Sequence, residues 1–299
     1  MKLLRTPDER FENLPDFPFE PHYITLEPEG IRIHYVDEGP VDAEPILLLH
    51  GEPSWSYLYR HMIPILAEAG YRAIAPDLVG FGRSDKPAEQ TDHTYRKHVD
   101  WIKRWIEKLD LKRITLFCQD WGSLIGLRVA VENEDRFSRI VLSNGGLPNG
   151  EQRSVKAFLE WREFSRTTAV FDLDFIMQGG TKRKLSRKER KAYDAPFPDE
   201  TYKTGPRIMP SLVPISPDDP EHDANKSASE KLMQWEIPFL TAFADSDPIT
   251  LGADKFFREN VPGAKNQKHT TIKNAAHFVQ EDAGPELAEI ILEFIKDNP

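Results

Sequence analysis

Short apolar runs alternate along the chain with stretches of helical periodicity, and this alternation constrains the fold more than any other feature. The runs that predict strands span residues 31–35, 45–50, 71–76, 114–119, 139–143, 238–244 and 268–273. Several are continuously apolar, as strands covered on both faces of a sheet should be. Between them apolar residues recur at helical spacing, as in Ile102, Trp105, Ile106 and Leu109. The alternation predicts an α/β fold with a mostly parallel central sheet flanked by helices.

The alternation stops after Leu147. From 148 to 229 no segment has a convincing strand pattern, and helix-like stretches are joined by proline-rich loops around 195–199 and 207–220. We therefore expect the α/β core to be formed by residues 1–147 and 230–299. The intervening residues 148–229 are expected to form a helical cap inserted into that core.

The composition limits the partners and cofactors that we expect. The 299 residues carry a formal net charge of −10, so no basic face is available for the phosphates of nucleic acid. The first residues lack the apolar run of a signal peptide and no stretch matches a membrane span, so the expected location is cytoplasmic. A single cysteine, Cys118, excludes an internal disulfide and a multi-cysteine metal site. The nine histidines lack ligand spacing such as His-Glu-x-x-His, so no metal and no cofactor is expected.

A strand, a tight turn and a helix are predicted over residues 114–123 (ITLFCQDWGS). Such a turn exposes a nucleophile at its apex when small residues flank it, and Asp120 holds the apex between Cys118 and Gly122. The chain contains no Gly-x-Ser-x-Gly motif, so a serine nucleophile is excluded. The motif predicts Asp120 as a carboxylate nucleophile. The structural alternative is an aspartate that only caps the helix beginning at Trp121.

A second strand ends in the turn formed by residues 50–53 (HGEP). The backbone N–H groups of such a turn form an oxyanion hole together with the amide that follows the nucleophile. This assigns the oxyanion hole to the amides of Glu52 and Trp121. We interpret His50 as a buried histidine bonded to the backbone rather than as a catalytic group.

A histidine and an aspartate follow the last two predicted strands. His277 lies between the last strand and the last helix, at the carboxyl edge where open α/β sheets bind ligands, and we predict it to be the base. Asp245 and Asp247 both follow the preceding strand. We prefer Asp247 as the acid that orients the histidine, because the aspartate just before proline is the usual acid at such a strand end. The chain order Asp120, Asp247, His277 is that of the α/β-hydrolases.

Four segments of the core together resemble the haloalkane dehalogenases, a family with the α/β-hydrolase fold. They are residues 50–60 (HGEPSWSYLYR), 77–87 (DLVGFGRSDKP), 119–122 (QDWG) and 276–281 (AHFVQE). In the cap, residues 158–161 (FLEW) and 195–199 (APFPD) resemble the branch whose second halide ligand is a cap tryptophan. The resemblance implies cofactor-free hydrolysis of the carbon–halogen bond in chlorinated or brominated alkanes, giving an alcohol, a halide ion and a proton.

The motif residues take specific roles in that chemistry. Asp120 would attack the halogenated carbon to form an alkyl ester, and His277, supported by Asp247, would activate the water that hydrolyses it. Trp121 is the expected first halide ligand, since an indole N–H donates and does not accept. The family's second ligand is either an Asn directly after His-Gly or a cap tryptophan. Position 52 is Glu, and Trp161 is the only tryptophan of the expected cap, so Trp161 is predicted as the second ligand.

Two further side chains are predicted near the halide site. Phe158, one helical turn before Trp161, is expected to line the substrate pocket. The Glu52 carboxylate either helps to position the hydrolytic water or has a surface or salt-bridged role. The expected partners are a halogenated alkane, water and a halide ion. We expect a monomer, because no coiled coil or long apolar surface demands a protein partner.

Two other functions remain open from the sequence. Epoxide hydrolases share the fold and the aspartate nucleophile but protonate the epoxide with cap tyrosines, for which Tyr193 and Tyr202 are available. A non-catalytic ligand receptor on the same scaffold is the second alternative, although such receptors often lose triad members and all three positions here are chemically competent. A fluoroacetate dehalogenase is disfavoured, because Trp121 stands where that family has arginine.

Overall fold

The structure is a computed structural model that describes all 299 residues. The ten strands are β1 (Leu3–Leu4), β2 (His22–Leu26), β3 (Ile31–Glu38), β4 (Pro45–Leu49), β5 (Arg72–Pro76), β6 (Lys86–Pro87), β7 (Ile114–Gln119), β8 (Phe137–Ser143), β9 (Phe239–Ala244) and β10 (Thr270–Ile272). The ten α-helices are α1 (Ile63–Glu68), α2 (Tyr95–Lys108), α3 (Trp121–Glu132), α4 (Lys156–Thr167), α5 (Leu173–Gly179), α6 (Arg187–Asp194), α7 (Thr204–Leu212), α8 (His222–Leu232), α9 (Asp254–Asn260) and α10 (Val279–Asp297).

The central sheet has eight strands in the order β10-β9-β8-β7-β4-β5-β3-β2. Every neighbouring pair from β10 to β5 is parallel. The strands β3 and β2 add to one edge in antiparallel orientation. The predicted α/β fold with a mostly parallel sheet is confirmed.

The edge strand β2 and the two-residue pair of β1 with β6 were not predicted from the sequence. In β2 only Leu26 is fully buried, whereas all five residues of β4 are. Continuous apolar runs mark strands that are covered on both faces, and an edge strand with partly exposed side chains lacks that pattern. The β1–β6 pair is only two residues long, which is too short for any periodicity to show.

Apolar layers cover both faces of the sheet. Along β4, Leu47 and Leu49 join the layer that contains residues of α2 and α3, whereas Ile46 and Leu48 join the layer that contains residues of α1 and α10. Successive side chains of a strand point to opposite faces, so a strand between two helix layers must be apolar at every position. Full burial of each such side chain contributes about 1.5–3 kcal/mol to stability.

Five helices, α4 to α8, lie between β8 and β9, in the part of the chain where no strand was predicted. The last of them runs to Leu232 and so passes through the boundary that we expected at 229. The first, α4, has only one buried residue, Ser165. No helix of the protein is both long enough and apolar enough to cross a lipid bilayer.

Candidate active site

Asp120 lies at the sharp turn between β7 and α3, with φ 50° and ψ −127°. A non-glycine residue in this region of backbone conformation is strained and persists only when its surroundings fix it. Here the turn is packed closely against the end of β4 and the segment that follows it. A Cβ atom at Gly122 would lie 2.0 Å from the carbonyl oxygen of Leu49, and one at Gly51 would lie 2.3 Å from Oδ1 of Asp120. The turn therefore requires glycine at both positions.

His277 lies between two carboxylates. Its Nδ1 is 3.0 Å from Oδ2 of Asp247, and its Nε2 is 3.6 Å from Oδ2 of Asp120. The Asp247 side chain is fully buried, and it accepts hydrogen bonds from the Ile249 amide at 2.9 Å and from the Thr250 hydroxyl. The three residues predicted as nucleophile, acid and base are thus adjacent at the carboxyl edge of the sheet.

Asp245, the alternative acid, points elsewhere. It accepts a hydrogen bond from the Ser246 hydroxyl at 3.0 Å, and its carboxylate is 3.9 Å from the Lys273 ammonium group. Its side chain is 28% exposed, whereas that of Asp247 is fully buried. The structure brings Asp247, and not Asp245, to the imidazole of His277.

The electrostatics of the site favour charge separation within this group of residues. Burial lowers the pKa of His277, but the carboxylates of Asp247 and Asp120 outweigh that effect and hold the pKa well above its usual value. Burial raises the pKa of Asp247, but the imidazole of His277 and the hydrogen bonds outweigh it and lower that pKa to about 2. The two neighbouring carboxylates therefore favour the protonated form of the imidazole.

Asn144 and Gln119 also position this site, and sequence analysis missed both. The carbonyl of Asn144 accepts from the Asp120 amide at 3.0 Å, and its side-chain amide donates to the carbonyls of Ala276 at 2.8 Å and His277 at 3.1 Å. The side-chain amide of Gln119 donates to the His277 carbonyl at 3.2 Å. Asn144 has a positive φ of 31°, a conformation that asparagine tolerates better than most residues. A polar residue directly after a buried strand was the available signal.

Glu52 contacts Asp120 through its backbone and Trp161 of α4 through its side chain. Its amide donates to Oδ1 of Asp120 at 2.7 Å, so it lies where an oxyanion on that oxygen would form. Its Oε2 accepts from the indole N–H of Trp161 at 3.1 Å, and its Oε1 is buried without a hydrogen-bond partner. Burial and the nearby Asp120 carboxylate raise the pKa of Glu52 well above its usual value.

The predicted substrate and halide residues share a cavity of about 1150 Å³ with the reacting groups. Trp121, Phe158 and Trp161 all line it together with Asp120 and His277. Trp161 lies on α4 and packs against two phenylalanines, Phe164 at a ring distance of 5.6 Å and Phe171 at 5.8 Å. The sequence did not predict that its N–H is bonded to Glu52, because that contact joins residues 109 positions apart.

The histidine and the tyrosines considered for other roles lie away from the cavity lining. His50 is buried, with Nδ1 2.9 Å from the Gly51 carbonyl and Nε2 accepting from the Leu78 amide at 2.9 Å. The Tyr193 hydroxyl donates to the carboxylate of Glu281. No tyrosine, Tyr202 included, lines the cavity. The two tyrosines considered as epoxide proton donors, Tyr193 and Tyr202, are therefore not part of this cavity lining.

Comparison with known proteins agrees with this architecture. The model of the α/β hydrolase fold family matches residues 44–284. A haloalkane dehalogenase of Psychrobacter cryohalolentis is 54% identical over 302 residues, covering 100% of both chains. A haloalkane dehalogenase of Mycolicibacterium paratuberculosis is 54% identical over 295 residues, covering 98% of each chain.

A solved structure gives the same result. The haloalkane dehalogenase DpaA from Paraglaciecola agarilytica, described as tetrameric, superimposes with a TM-score of 0.92 at 38% identity and covers 98% of each chain. The similarity spans the helical segment between β8 and β9 as well as the sheet. This chain therefore belongs to the haloalkane dehalogenase family of α/β-hydrolase-fold enzymes.

Proposed function

We propose that this protein hydrolyses haloalkanes to an alcohol, a halide ion and a proton through a covalent ester on Asp120. The observation that carries the proposal is the placement of the Asp120 carboxylate, the imidazole of His277 and two indole groups on one cavity. Trp121 and Trp161 supply those indoles, and residues 148–229 form the cap that covers the reaction centre. No cofactor takes part in either step.

In the first step the two oxygens of Asp120 have different tasks. Oδ1 is held by the amide of Glu52, which leaves Oδ2 to attack the halogenated carbon in line with the leaving group. The new carbon–oxygen bond forms as the carbon–halogen bond breaks, and the halide leaves with the electron pair. The indole N–H groups of Trp121 and Trp161 donate to the departing halide, and Trp161 exchanges its bond to Glu52 for that contact.

In the second step the ester changes the state of the base. Esterification removes the negative charge of Asp120, one of the two carboxylates that raise the pKa of His277, so that pKa falls and the neutral imidazole becomes accessible. His277 then takes a proton from water, which attacks the ester carbonyl carbon. The oxyanion forms on Oδ1 against the amides of Glu52 and Trp121, and Asp247 stabilises the imidazolium. Collapse of the intermediate breaks the bond to the alkyl oxygen, which takes the proton from the imidazolium and leaves as the alcohol, and the carboxyl group formed on Asp120 loses its proton to solvent to regenerate the carboxylate.

Glu52 and Phe158 act on water and substrate in this scheme. The unpartnered Oε1 of Glu52 provides a polar contact for the hydrolytic water beside Asp120. Phe158 lies on the same helix as Trp161 and supplies apolar surface to the alkyl group. The absence of tyrosine from the cavity lining leaves an epoxide hydrolase without structural support.

A monomeric state and a cytoplasmic location complete the proposal. The monomeric state is tested by light scattering on the purified protein. The test is needed because the relative DpaA is described as tetrameric. A measured mass equal to that of one chain would support the monomer. A mass that is a multiple of it would contradict the monomer and indicate an oligomer. The location is tested by cell fractionation.

The decisive experiment separates the two chemical steps with His277→Phe. Asp120 keeps its carboxylate in this variant, so one equivalent of bromide should be released from 1,2-dibromoethane, after which turnover should stop. Intact-mass measurement should show an added bromoethyl group, and peptide mapping should place it on the fragment that contains Asp120.

The control is the double variant with Asp120→Ala, which should show neither the burst nor the adduct. If a folded His277→Phe protein released no bromide, histidine would be needed before carbon–halogen cleavage. That result would favour direct attack by water and would remove the nucleophilic role from Asp120.

A further inference from the structure

The segment after α5, residues 180–183, packs directly on the part of the chain that carries the base. We call residues 180–183 the docking segment and residues 276–282 the histidine segment. The Phe278 amide donates to the Gly180 carbonyl at 2.9 Å. The contact is so close that a Cβ atom at Gly180 would lie 2.6 Å from the Phe278 ring. A piece of the cap therefore lies against the residue that follows His277.

Asp282 joins the two segments from the other side. One of its carboxylate oxygens accepts from the amides of Lys182 at 2.9 Å and Arg183 at 2.8 Å in the docking segment. The other accepts from the amide of Ala276 at 2.9 Å. Ala276 directly precedes His277 in the chain. A single carboxylate thus connects the cap backbone with the amide of the residue that precedes the base.

These contacts enclose the backbone of His277. On its carbonyl side, Asn144 and Gln119 donate to the His277 carbonyl at 3.1 Å and 3.2 Å. On its amino side, the Asp282 carboxylate is the side-chain acceptor of the preceding amide. The carbonyl-side contacts come from the core, and the amino-side contact reaches the cap. The position of the imidazole therefore depends on both parts of the molecule.

We propose that Asp282 is a positioning residue that holds His277 in place for hydrolysis of the alkyl ester and couples this step to the docked cap. The proposal rests on the proposed function. Carbon–halogen cleavage needs no proton transfer from His277, whereas ester hydrolysis needs the imidazole within reach of a water and the ester carbon. Loss of Asp282 should therefore slow the second step and spare the first. General loss of structure would slow both.

The docking segment keeps other attachments when Asp282 is changed. The Arg183 guanidinium donates to the Glu281 carbonyl at 2.7 Å and pairs with the carboxylates of Glu281 and Glu189. The Phe278 bond to Gly180 also remains. These contacts predict that Asp282→Ala folds, with a loosened rather than a detached histidine segment.

The experiment compares Asp282→Ala and Asp282→Asn with the control Glu221→Ala. Glu221 also bridges cap and core, through a 3.0 Å bond to the Arg128 guanidinium on α3, but it does not touch the histidine segment. Rapid-quench measurements with 1,2-dibromoethane give the rate of the first bromide release and the steady-state rate. Intact mass gives the amount of ester, and thermal unfolding gives stability.

For Asp282→Ala we expect an initial bromide burst within about twofold of the unmodified rate and a steady-state rate lower by about 100-fold, the loss typical of a displacement of about 1 Å. The alkyl-enzyme should accumulate during turnover. Asp282→Asn keeps one acceptor oxygen, so its steady-state rate should lie between those of the unmodified protein and Asp282→Ala. Glu221→Ala should lower stability without ester accumulation.

Equal slowing of both steps, or no slowing of either, would overturn the role of Asp282, as would ester accumulation in Glu221→Ala. If Asp282→Ala does not fold, Asp282→Asn decides in the same way. An unmodified protein that releases no bromide would instead refute the proposed function. Unmodified turnover with an unaffected Asp282→Ala variant would refute only the positioning role.

Discussion

The core and the cap contribute to the same cavity in different ways. In the core, Asp120, Asp247 and His277 each follow the carboxyl end of a strand, and each takes part in hydrogen bonds with the backbone. In the cap, Trp161 and Phe158 lie on α4, which has one buried residue and contributes several residues to the cavity lining. The proposed reacting groups therefore lie at the ends of core strands, whereas of the two proposed halide ligands Trp121 lies on the core helix α3 and Trp161 on the largely unburied helix α4.

The largest effect expected from this comparison concerns the core acid. Asp247→Asn should lower the steady-state rate of bromide release by about 10⁴-fold, the loss seen when the corresponding aspartate of a serine-protease triad is changed. The amide oxygen can accept from the protonated Nδ1 of His277, but the amide lacks the negative charge with which the carboxylate stabilises the imidazolium, and its NH2 group favours the wrong tautomer when it faces Nδ1. Asp245→Asn is the matched control two residues away and should retain near-normal turnover. The reverse order of the two variants would reassign the acid.

A smaller effect is expected for Trp161, the proposed second halide ligand. Trp161→Phe keeps an aromatic side chain but removes the N–H, and we expect carbon–halogen cleavage to slow by roughly 10²–10³-fold, as for the loss of an oxyanion-hole donor. Bromide binding, followed by tryptophan fluorescence, should weaken with it. Trp235→Phe serves as control, since Trp235 is buried outside the cavity. Unchanged bromide quenching together with unchanged turnover would remove Trp161 from the halide site.

The next effect is a shift of the pKa of His277 and depends on the core alone. Asp120→Asn mimics the uncharged ester and should lower that pKa, measured by NMR titration of the imidazole. The raised pKa contributes stability that is fully present below the unfolded pKa, about 6.5. That contribution is lost as pH rises through the pKa of His277 in the folded protein. Because this pKa should be lower in Asp120→Asn, the variant should lose the stabilisation at a lower pH than the unmodified protein does. Trp161→Phe should leave the titration unchanged, and an equal shift in both variants would contradict the assignment.

The smallest effect should follow from changing the apolar lining of the cap. Phe158→Ala removes surface that contacts the alkyl chain, so it should lower kcat/KM for 1-bromohexane more than for bromoethane. The difference should amount to roughly 0.8 kcal/mol for each methylene group that loses its contact. Leu159→Ala is the control, because Leu159 is 40% exposed and does not line the cavity. Equal losses for both substrates would show that Phe158 acts through cap packing instead.

Much of the fold could be predicted because buried parallel strands have a distinctive pattern. The run at 114–119 coincides with β7, and those at 45–50 and 238–244 each include one residue beyond β4 and β9. Strand β2 could not be found in this way, since its partly exposed residues form no continuous apolar run. Helix α8 passed the expected boundary because a helix end depends on capping and packing rather than on apolar periodicity alone.

The candidate site could be predicted where a motif fixes a residue at a strand end. Asp120, Asp247 and His277 were found for that reason, and their catalytic roles stay predictions until they are tested. Contacts between distant segments could not be predicted, because nothing in a local pattern specifies them. The Trp161 bond to Glu52 and the bonds of Asn144 to the histidine segment are of this kind.

The docking segment also determines where the molecule can open. Substrate has to enter, and alcohol has to leave, a cavity that both α4 and residues 179–182 line. Opening at the docking segment would break its bonds to Phe278 and Asp282 and so remove contacts beside the base. Movement of α4, which has a single buried residue, would leave those bonds intact. Substrate should therefore enter, and alcohol should leave, beside α4, and His277 should keep its position from one catalytic cycle to the next.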